Sequence, residues 1–528
     1  MINSLKKGNT ITTRLAKNFN YFKRFYSFSA PAAPPPSPLF GGGGGGGGQR
    51  QLILVSQDWT RPKDPPLSLG HASLLTNLRL HQVDVIERSW SVNAPDFSSD
   101  SVTDFIMNNV REDGRTDVAL GAFVWNEHST KAILRNLKKH RFPGRIILGG
   151  PQASYLKSNI ESYYPEVDYF IRGYAESAIV DLMKSNVDDD LLISTPTMIA
   201  TSTGTSKPTS VGGTTPCSSG NNNKTKGIHR AGALPDLGLS ATADLETLPS
   251  PFLSGTIKPQ RFMRWETQRG CPFRCAFCQH RESDSDSDSH VRRHMSLTRT
   301  LQESEWITNN PVIQDLAVLD PIFNSGPNYL EILDQLLRGR YSGKLSLQCR
   351  LEMVKEPFLD RVSRLKDQGC QVVLEFGLQT IHAAEQKLID RPNNIKRVVQ
   401  ILKEVGQRAI QTEISLIYGL PLQTVETFKE TIDFCRTHAP NNAVIHAFPL
   451  MLLRGTPLFH RKHELGIIES NEIVSDNNII PRLQSTPDSL VDIPHVVASP
   501  SFTYQDWKEM TKLSEQLEID NQRIQLNN

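Results

Sequence analysis

Cysteine is scarce: seven in 528 residues cannot make a disulfide scaffold. Acidic residues are missing altogether from the first 57 positions. Charge of either sign is not in excess, because 58 Lys and Arg against 56 Asp and Glu leave +2. That balance gives no global field for nucleic acid or an anionic membrane. No apolar run reaches the roughly 18–20 residues that cross a bilayer, and the richest stretch, residues 443–453, is broken by His446 and Pro449. Apolar residues, at 38%, fall below the globular average of about 45–50%. Low-complexity stretches account for the shortfall, so what remains can still bury cores, enough for two or three domains at roughly 100–200 residues each.

The acid-free start carries Lys6, Lys7, Arg14, Lys17, Lys23, Arg24 and Arg50 among aromatic and hydroxyl residues. This is the composition of a mitochondrial transit peptide; the alternative is a basic tail on a cytoplasmic protein. Proline-rich residues 30–38 and eight glycines at 41–48 then read as a spacer, completing a leader and linker over 1–49. The glycine tract satisfies G-x-G-x-x-G trivially, but no strand precedes it, so it is no nucleotide fingerprint.

From residue 50 to 185 short apolar runs alternate with helix-like spans. Strands are expected at 52–55, 83–86, 118–124, 145–148 and 169–171, with a helix from about Leu69. The pattern is α/β, an open parallel sheet of Rossmann-like type. Ligands on such sheets lie beyond the carboxyl ends of the strands, here residues 56–59, 121–126, 149–153 and 173–176. His71, Trp125 and His128 lie near those ends, although isolated His and Trp more often pack or face solvent. Residues 186–250 read as a low-complexity linker. A second α/β stretch, 251–466, offers six strands at 262–267, 316–319, 345–349, 371–376, 412–417 and 444–448, the pattern of a partial (β/α)6 barrel. The Ser-Asp repeat at 283–289 reads as a loop insertion. The remainder, 467–528, carries a helical pattern over 504–526 that could cap the barrel.

Three of the cysteines stand within eight residues, at Cys271, Cys275 and Cys278, directly after the first strand of the second stretch. Soft thiolates at this spacing suit iron–sulfur or zinc. Three can hold three irons of a [4Fe–4S] cube and leave the fourth open to a substrate. A zinc site would recruit His280 as a fourth ligand, although the second ligand pair usual in zinc knuckles is missing. Cys349 and Cys370 read as small buried residues. No further cysteine group follows Cys435, so a second cluster is not expected.

Here the chain resembles the radical S-adenosylmethionine (radical SAM) superfamily, whose hallmark C-x3-C-x-Φ-C is matched by Cys271, Cys275, Phe277 and Cys278. The likeness extends to residues 374–380 (Leu-Glu-Phe-Gly-Leu-Gln-Thr), 416–421 (Leu-Ile-Tyr-Gly-Leu-Pro) and 454–458 (Arg-Gly-Thr-Pro-Leu), which are similar to the family's fourth, fifth and sixth strand segments. The N-terminal unit resembles the cobalamin-binding-like domain that often precedes such a barrel, on residues 65–70, 149–151 and 168–176. Two departures stand out. The usual Gly-Glu-Gly-Glu is degenerate at 173–176, and no Asp-x-His-x-x-Gly follows the first strand, so no histidine is offered as a lower axial ligand.

The resemblance implies a [4Fe–4S] cluster on Cys271, Cys275 and Cys278, with SAM on the open iron. One electron would cleave SAM to a 5′-deoxyadenosyl radical. Phe277 would lie near the adenine, and Gln348, Gln379, Arg391 and Ser415 stand where relatives place polar SAM contacts. An acid is common at the position of Gln348, and Asp at that of Ser415. Asp320, in the segment replacing the family's Gly-Gly-Glu, is a candidate for the SAM amino group. The resemblance also implies a reductant of the ferredoxin or flavodoxin type. If cobalamin is bound, it implies methyl transfer or a related rearrangement on an unknown substrate. The alternative is a zinc-binding or catalytically silent scaffold that kept the fold. No membrane partner is expected and nucleic acid is not indicated.

Overall fold

The computed structural model describes residues 49–156, 158–185, 227–232, 241, 243–280, 293–470 and 494–527. The basic leader, most of the low-complexity linker and the Ser-Asp repeat lie outside the described residues.

The first sheet is built around β1 (Gln51–Asp58), whose Leu52, Ile53, Leu54 and Val55 are all buried. A strand apolar on both faces needs cover on both. Ile53 and Val55 pack with Val118, Leu120 and Leu148 under the helices Ser99–Asn108 and Glu127–Lys139. Leu52 and Leu54 pack on the opposite side with Ala119, Ile147 and the helices Leu69–Leu80 and Ala175–Lys184. The remaining strands are β2 (Asp84–Ser91), β3 (Thr116–Gly121), β4 (Ile146–Gly149), β5 (Tyr169–Ile171) and β6 (Ile228–Arg230). Their order is β2-β1-β3-β4-β5-β6, so the topological switch point lies between β1 and β3. Asp117 holds the other end of the sheet: fully buried, it pairs with Arg50 at 2.5 Å and Arg145 at 2.6 Å.

Two expectations need correction. The sheet is not wholly parallel, because β6 runs antiparallel to β5. That strand also comes from the stretch read as linker; its three residues are too few for any periodicity to show.

The second sheet comprises β7 (Phe262–Trp265), β10 (Asp315–Val318), β11 (Lys344–Cys349), β12 (Gln371–Gln379), β13 (Gln411–Tyr418) and β14 (Val444–Pro449). Each pairs in parallel with the next, a partial (β/α)6 barrel. A short antiparallel pair, β8 (Gln268–Arg269) and β9 (Arg293–His294), follows β7. Alternation sorts the side chains. Leu345, Leu347, Val372, Leu374, Phe376, Ile414 and Leu416 face outward into one core with helix residues such as Leu333, Phe358, Ile401 and Phe428. Gln348, Glu375, Gly377, Glu413, Ser415 and His446 occupy the other face, lining the interior.

An open barrel leaves edges to cover. The helix Tyr504–Asn527 shields β14: Asn521 accepts from the Ile445 amide at 3.0 Å and donates to its carbonyl at 2.9 Å, while Ser514 donates to Ala447 at 2.7 Å. On the β7 side the loop after β1 pairs Asp64 with Arg264 at 2.7 Å and Lys63 with Asp315 at 3.0 Å.

The turn after β4 depends on Gly150, at φ +88°, where a Cβ would lie 2.6 Å from the Ala122 carbonyl oxygen. Gly150→Ala should lower stability by about 1–3 kcal/mol from backbone strain alone. Chemical denaturation checks this, and an unchanged midpoint would contradict the close approach.

Candidate functional site

The three clustered cysteines lie on the loop after β8, at the carboxyl end of the barrel strands. Gly270, at φ +80°, turns the chain from β8 into Cys271. The strand behind is fixed by Asp320, fully buried at the end of β10. Its carboxylate accepts from the amides of Thr267 at 2.7 Å and Gln268 at 3.1 Å, and from the Thr267 hydroxyl. This corrects the expectation that Asp320 meets the SAM amino group: its oxygens are taken up by the chain, so it positions the loop. Burial pushes its carboxyl up to about 7.

Arg269 anchors the same segment from the other side. It pairs with Glu176 at 2.7 Å and Glu266 at 2.9 Å, and Glu176, from the first sheet's domain, also accepts from Ser73 at 2.9 Å. Removing one partner of such a buried set would strand a charge. Beyond Cys275 the backbone holds the loop. The Ala276 amide donates to Ile389 at 2.7 Å, and the Ala276 carbonyl accepts from Leu458 at 3.1 Å.

Cys275 is buried, while Cys271 and Cys278 are partly so. Burial raises the thiol of Cys271 and pushes that of Cys278 up to about 11, so loading a metal must release protons. Among the described residues no three Cys, His, Asp or Glu side chains meet at a point as one zinc ion requires. A cluster that takes one thiolate on each of three irons makes no such demand. The donor set therefore fits a cube better than a Cys3His zinc site.

The named polar residues divide. Arg391 comes to the loop: Nη1 donates to Cys275 Sγ at 3.4 Å, and Nη2 to the Gly377 carbonyl. Gln379 joins it at the end of β12, at φ +68° and with a buried Oε1 that has no partner among the described residues. A Cβ on Gly377 would crowd both, at 2.5 Å from Gln379 Nε2 and 3.2 Å from Arg391 Nη2. Phe277 packs, half-buried, against the barrel core. Ser415 is level with Gly377 on the interior face. Gln348 stands two residues deeper, level with Glu375 and away from the loop.

Several residues went unremarked in the sequence. Glu375 and Glu413 are neighbours across β12 and β13, and burial, then the Glu413 charge, raises the Glu375 carboxyl. His446 binds Glu518 of the C-terminal helix at 2.7 Å. Their inward alternation was the readable signal. Arg350 stacks its guanidinium 3.8 Å from the Phe273 ring in the cysteine loop.

The first sheet's carboxyl edge faces the same loop. Tyr155, after β4, donates to the Gln279 carbonyl, and Arg454 reaches Glu127 at 3.2 Å and the Gln152 carbonyl at 3.1 Å. Beside the switch point, Phe123 and Trp125 stack at 4.6 Å. Gly121, Gly149 and Gly150 end β3 and β4, and the loop after β1, residues 59–68, contains no histidine. His71 is elsewhere: buried, it binds Glu87 at 3.2 Å, and that hydrogen bond holds the Glu87 carboxyl below its usual range.

Residues 265–435 match the Radical SAM superfamily. The chain is 27% identical over 375 residues to the 2-(S-pantetheinyl)-carbapenam-3-carboxylate methyltransferase of Streptantibioticus cattleyicolor, covering 67% of this chain and 50% of that protein. It is 26% identical over 357 residues to the cobalamin-dependent radical SAM methyltransferase TokK of Streptomyces tokunonensis, covering 65% and 47%. The chain thus spans about half the length of these relatives. Among solved structures, TsrM from Kitasatospora setae, a radical S-adenosylmethionine methyltransferase, superposes with a TM-score of 0.60 at 13% identity over 89% of each chain. The cobalamin-dependent radical enzyme OxsB superposes at 0.58 with 16% identity, over 89% of this chain and 66% of its own. Both likenesses are of fold.

Because the Asp320 carboxyl is raised, its contribution is full below the ordinary Asp value and is lost as pH rises through about 7. Asp320→Asn keeps the acceptor for the two amides. Between about pH 5 and pH 8 the wild type should lose more stability than this variant. Thermal unfolding at both pH values checks it, and equal losses would contradict the assignment.

Proposed function

We propose that this radical SAM superfamily protein, with an N-terminal α/β domain of cobalamin-binding-like fold, cleaves SAM reductively at a [4Fe–4S] cluster and uses cobalamin to transfer a methyl group. The observation that carries the reading is the position of the cysteine loop, between the mouth of the barrel and the carboxyl edge of the first sheet. A ligand on that edge and one on the loop would share a single enclosed space. The names of TokK and OxsB, both cobalamin-dependent, support the choice of cofactor.

Cys271, Cys275 and Cys278 would each hold one iron. When bound, the cluster supplies the electron that SAM cleavage needs, and the corrinoid a centre that carries the methyl group. The protein's share is placement. Asp320 and Arg269 fix the approach to Cys271, while Ile389 and Leu458 hold the backbone at Ala276. Gln379 Oε1 and Arg391 Nε, both buried without a partner, are free to meet polar groups of SAM. Phe277 and the loop contacts of Tyr155 and Arg454 keep bulk water from the space between. Glu375 and Glu413 lie one interior position deeper, leaving the mouth to SAM and substrate. Electrons would come from an external donor of the ferredoxin or flavodoxin type.

The test is anaerobic reconstitution with iron, sulfide and hydroxocobalamin, followed by SAM and reductant. The wild type should become brown, retain corrinoid through gel filtration, and convert SAM to 5′-deoxyadenosine or S-adenosylhomocysteine. Cys275→Ala should retain corrinoid yet drop to background conversion. Undiminished conversion by the variant, or a colourless zinc-loaded wild type, would overturn the cluster assignment; a wild type without corrinoid would remove methyl transfer.

A further inference from the structure

Arg391 is 8% exposed, and among the described residues its side chain meets Cys275 and Gly377 and no carboxylate. A buried guanidinium without a counter-charge is costly. Its hydrogen-bond acceptors are one backbone carbonyl, that of Gly377, and one sulfur, Cys275 Sγ at 3.4 Å. Nε has no partner. The other large buried cation nearby, Arg350, has a carboxylate, Glu352 at 3.2 Å, and also donates to the Pro392 carbonyl at 2.6 Å. The asymmetry is informative. Arg350 is neutralised by the chain, whereas without SAM the anionic neighbour of Arg391 is the cysteine loop, whose Cys275 it touches. Thiolates around an iron–sulfur cube carry net negative charge, and hydrogen bonds to cluster sulfurs help set its potential.

We propose that Arg391 is a positioning residue for the cluster: it donates a charge-assisted hydrogen bond to the Cys275 thiolate and raises the reduction potential of the iron–sulfur centre. This rests on the cluster assignment and adds to it. Reduction adds a negative charge to the cluster, and a fixed positive charge in a low-dielectric site favours the reduced state. The centre is thereby easier to reduce for a weak external donor. Gly377 is part of the same arrangement, because a Cβ there would stand 3.2 Å from Nη2 and press the guanidinium off its place.

The test is an EPR-monitored redox titration of the reconstituted full chain without SAM, so that a SAM contact contributes nothing. Arg391→Gln should hold its cluster and titrate at a lower midpoint potential than the wild type. Gly377→Ala, which leaves the charge but displaces it, should shift the midpoint the same way by less. Arg391→Lys should fall between wild type and Arg391→Gln. An unchanged midpoint in Arg391→Gln would overturn the proposal and leave Arg391 to SAM alone. Loss of iron from both Arg391→Gln and Gly377→Ala would overturn it too, making the contact a scaffold for the loop. Absence of a cluster from the wild type would instead sink the cluster assignment beneath it.

Discussion

Three thiols that, in the proposed assignment, each meet a different iron cannot also hold their own loop in place, so the loop has to be fixed through its backbone and its flanks. Asp320 does this for Thr267 and Gln268, Arg269 for the turn into Cys271, and the Ile389 and Leu458 contacts for Ala276. Each anchor comes from a different part of the chain, one of them from the first sheet's domain. The loop is therefore only as well placed as the packing of both sheets. This explains why so much buried charge lies behind it: Glu176, Arg269, Glu266 and Asp320 form a polar seam that would be expensive if any member lacked a partner.

The same seam binds the two sheets. Glu176 in the helix after β5, Tyr155 after β4 and Arg454 after β14 join their carboxyl ends face to face. Sheets of this kind bind ligands beyond those ends. Here the two ends face each other across the cysteine loop, where the cofactors of the proposed function would meet. The far end of the first sheet is closed by Asp117 with its two arginines, and the open edge of the second is covered by the C-terminal helix along β14.

What could be read from the sequence was whatever is written locally. The cysteine spacing needs only a few adjacent residues, and the apolar runs of β1 and β12 announce buried strands by themselves. Three kinds of feature were not local. β6 is too short to carry a pattern. Asp320 looked like an open acid because the amides that donate to it are 52 and 53 residues away in sequence. Gln348 and Arg391 looked equivalent, yet register puts Gln348 beside Glu375 and brings Arg391 to the sulfur of Cys275. Glu375 and Glu413 could have been found, since an acid at an inward position of an otherwise apolar strand has to be explained.

The central claim is a cluster with one iron left open for SAM. The most direct measurement is the EPR spectrum of the dithionite-reduced, reconstituted protein before and after SAM is added. The account predicts a cluster signal whose g-values change with SAM. A spectrum that SAM leaves unaltered, from a protein that holds its iron, would contradict it.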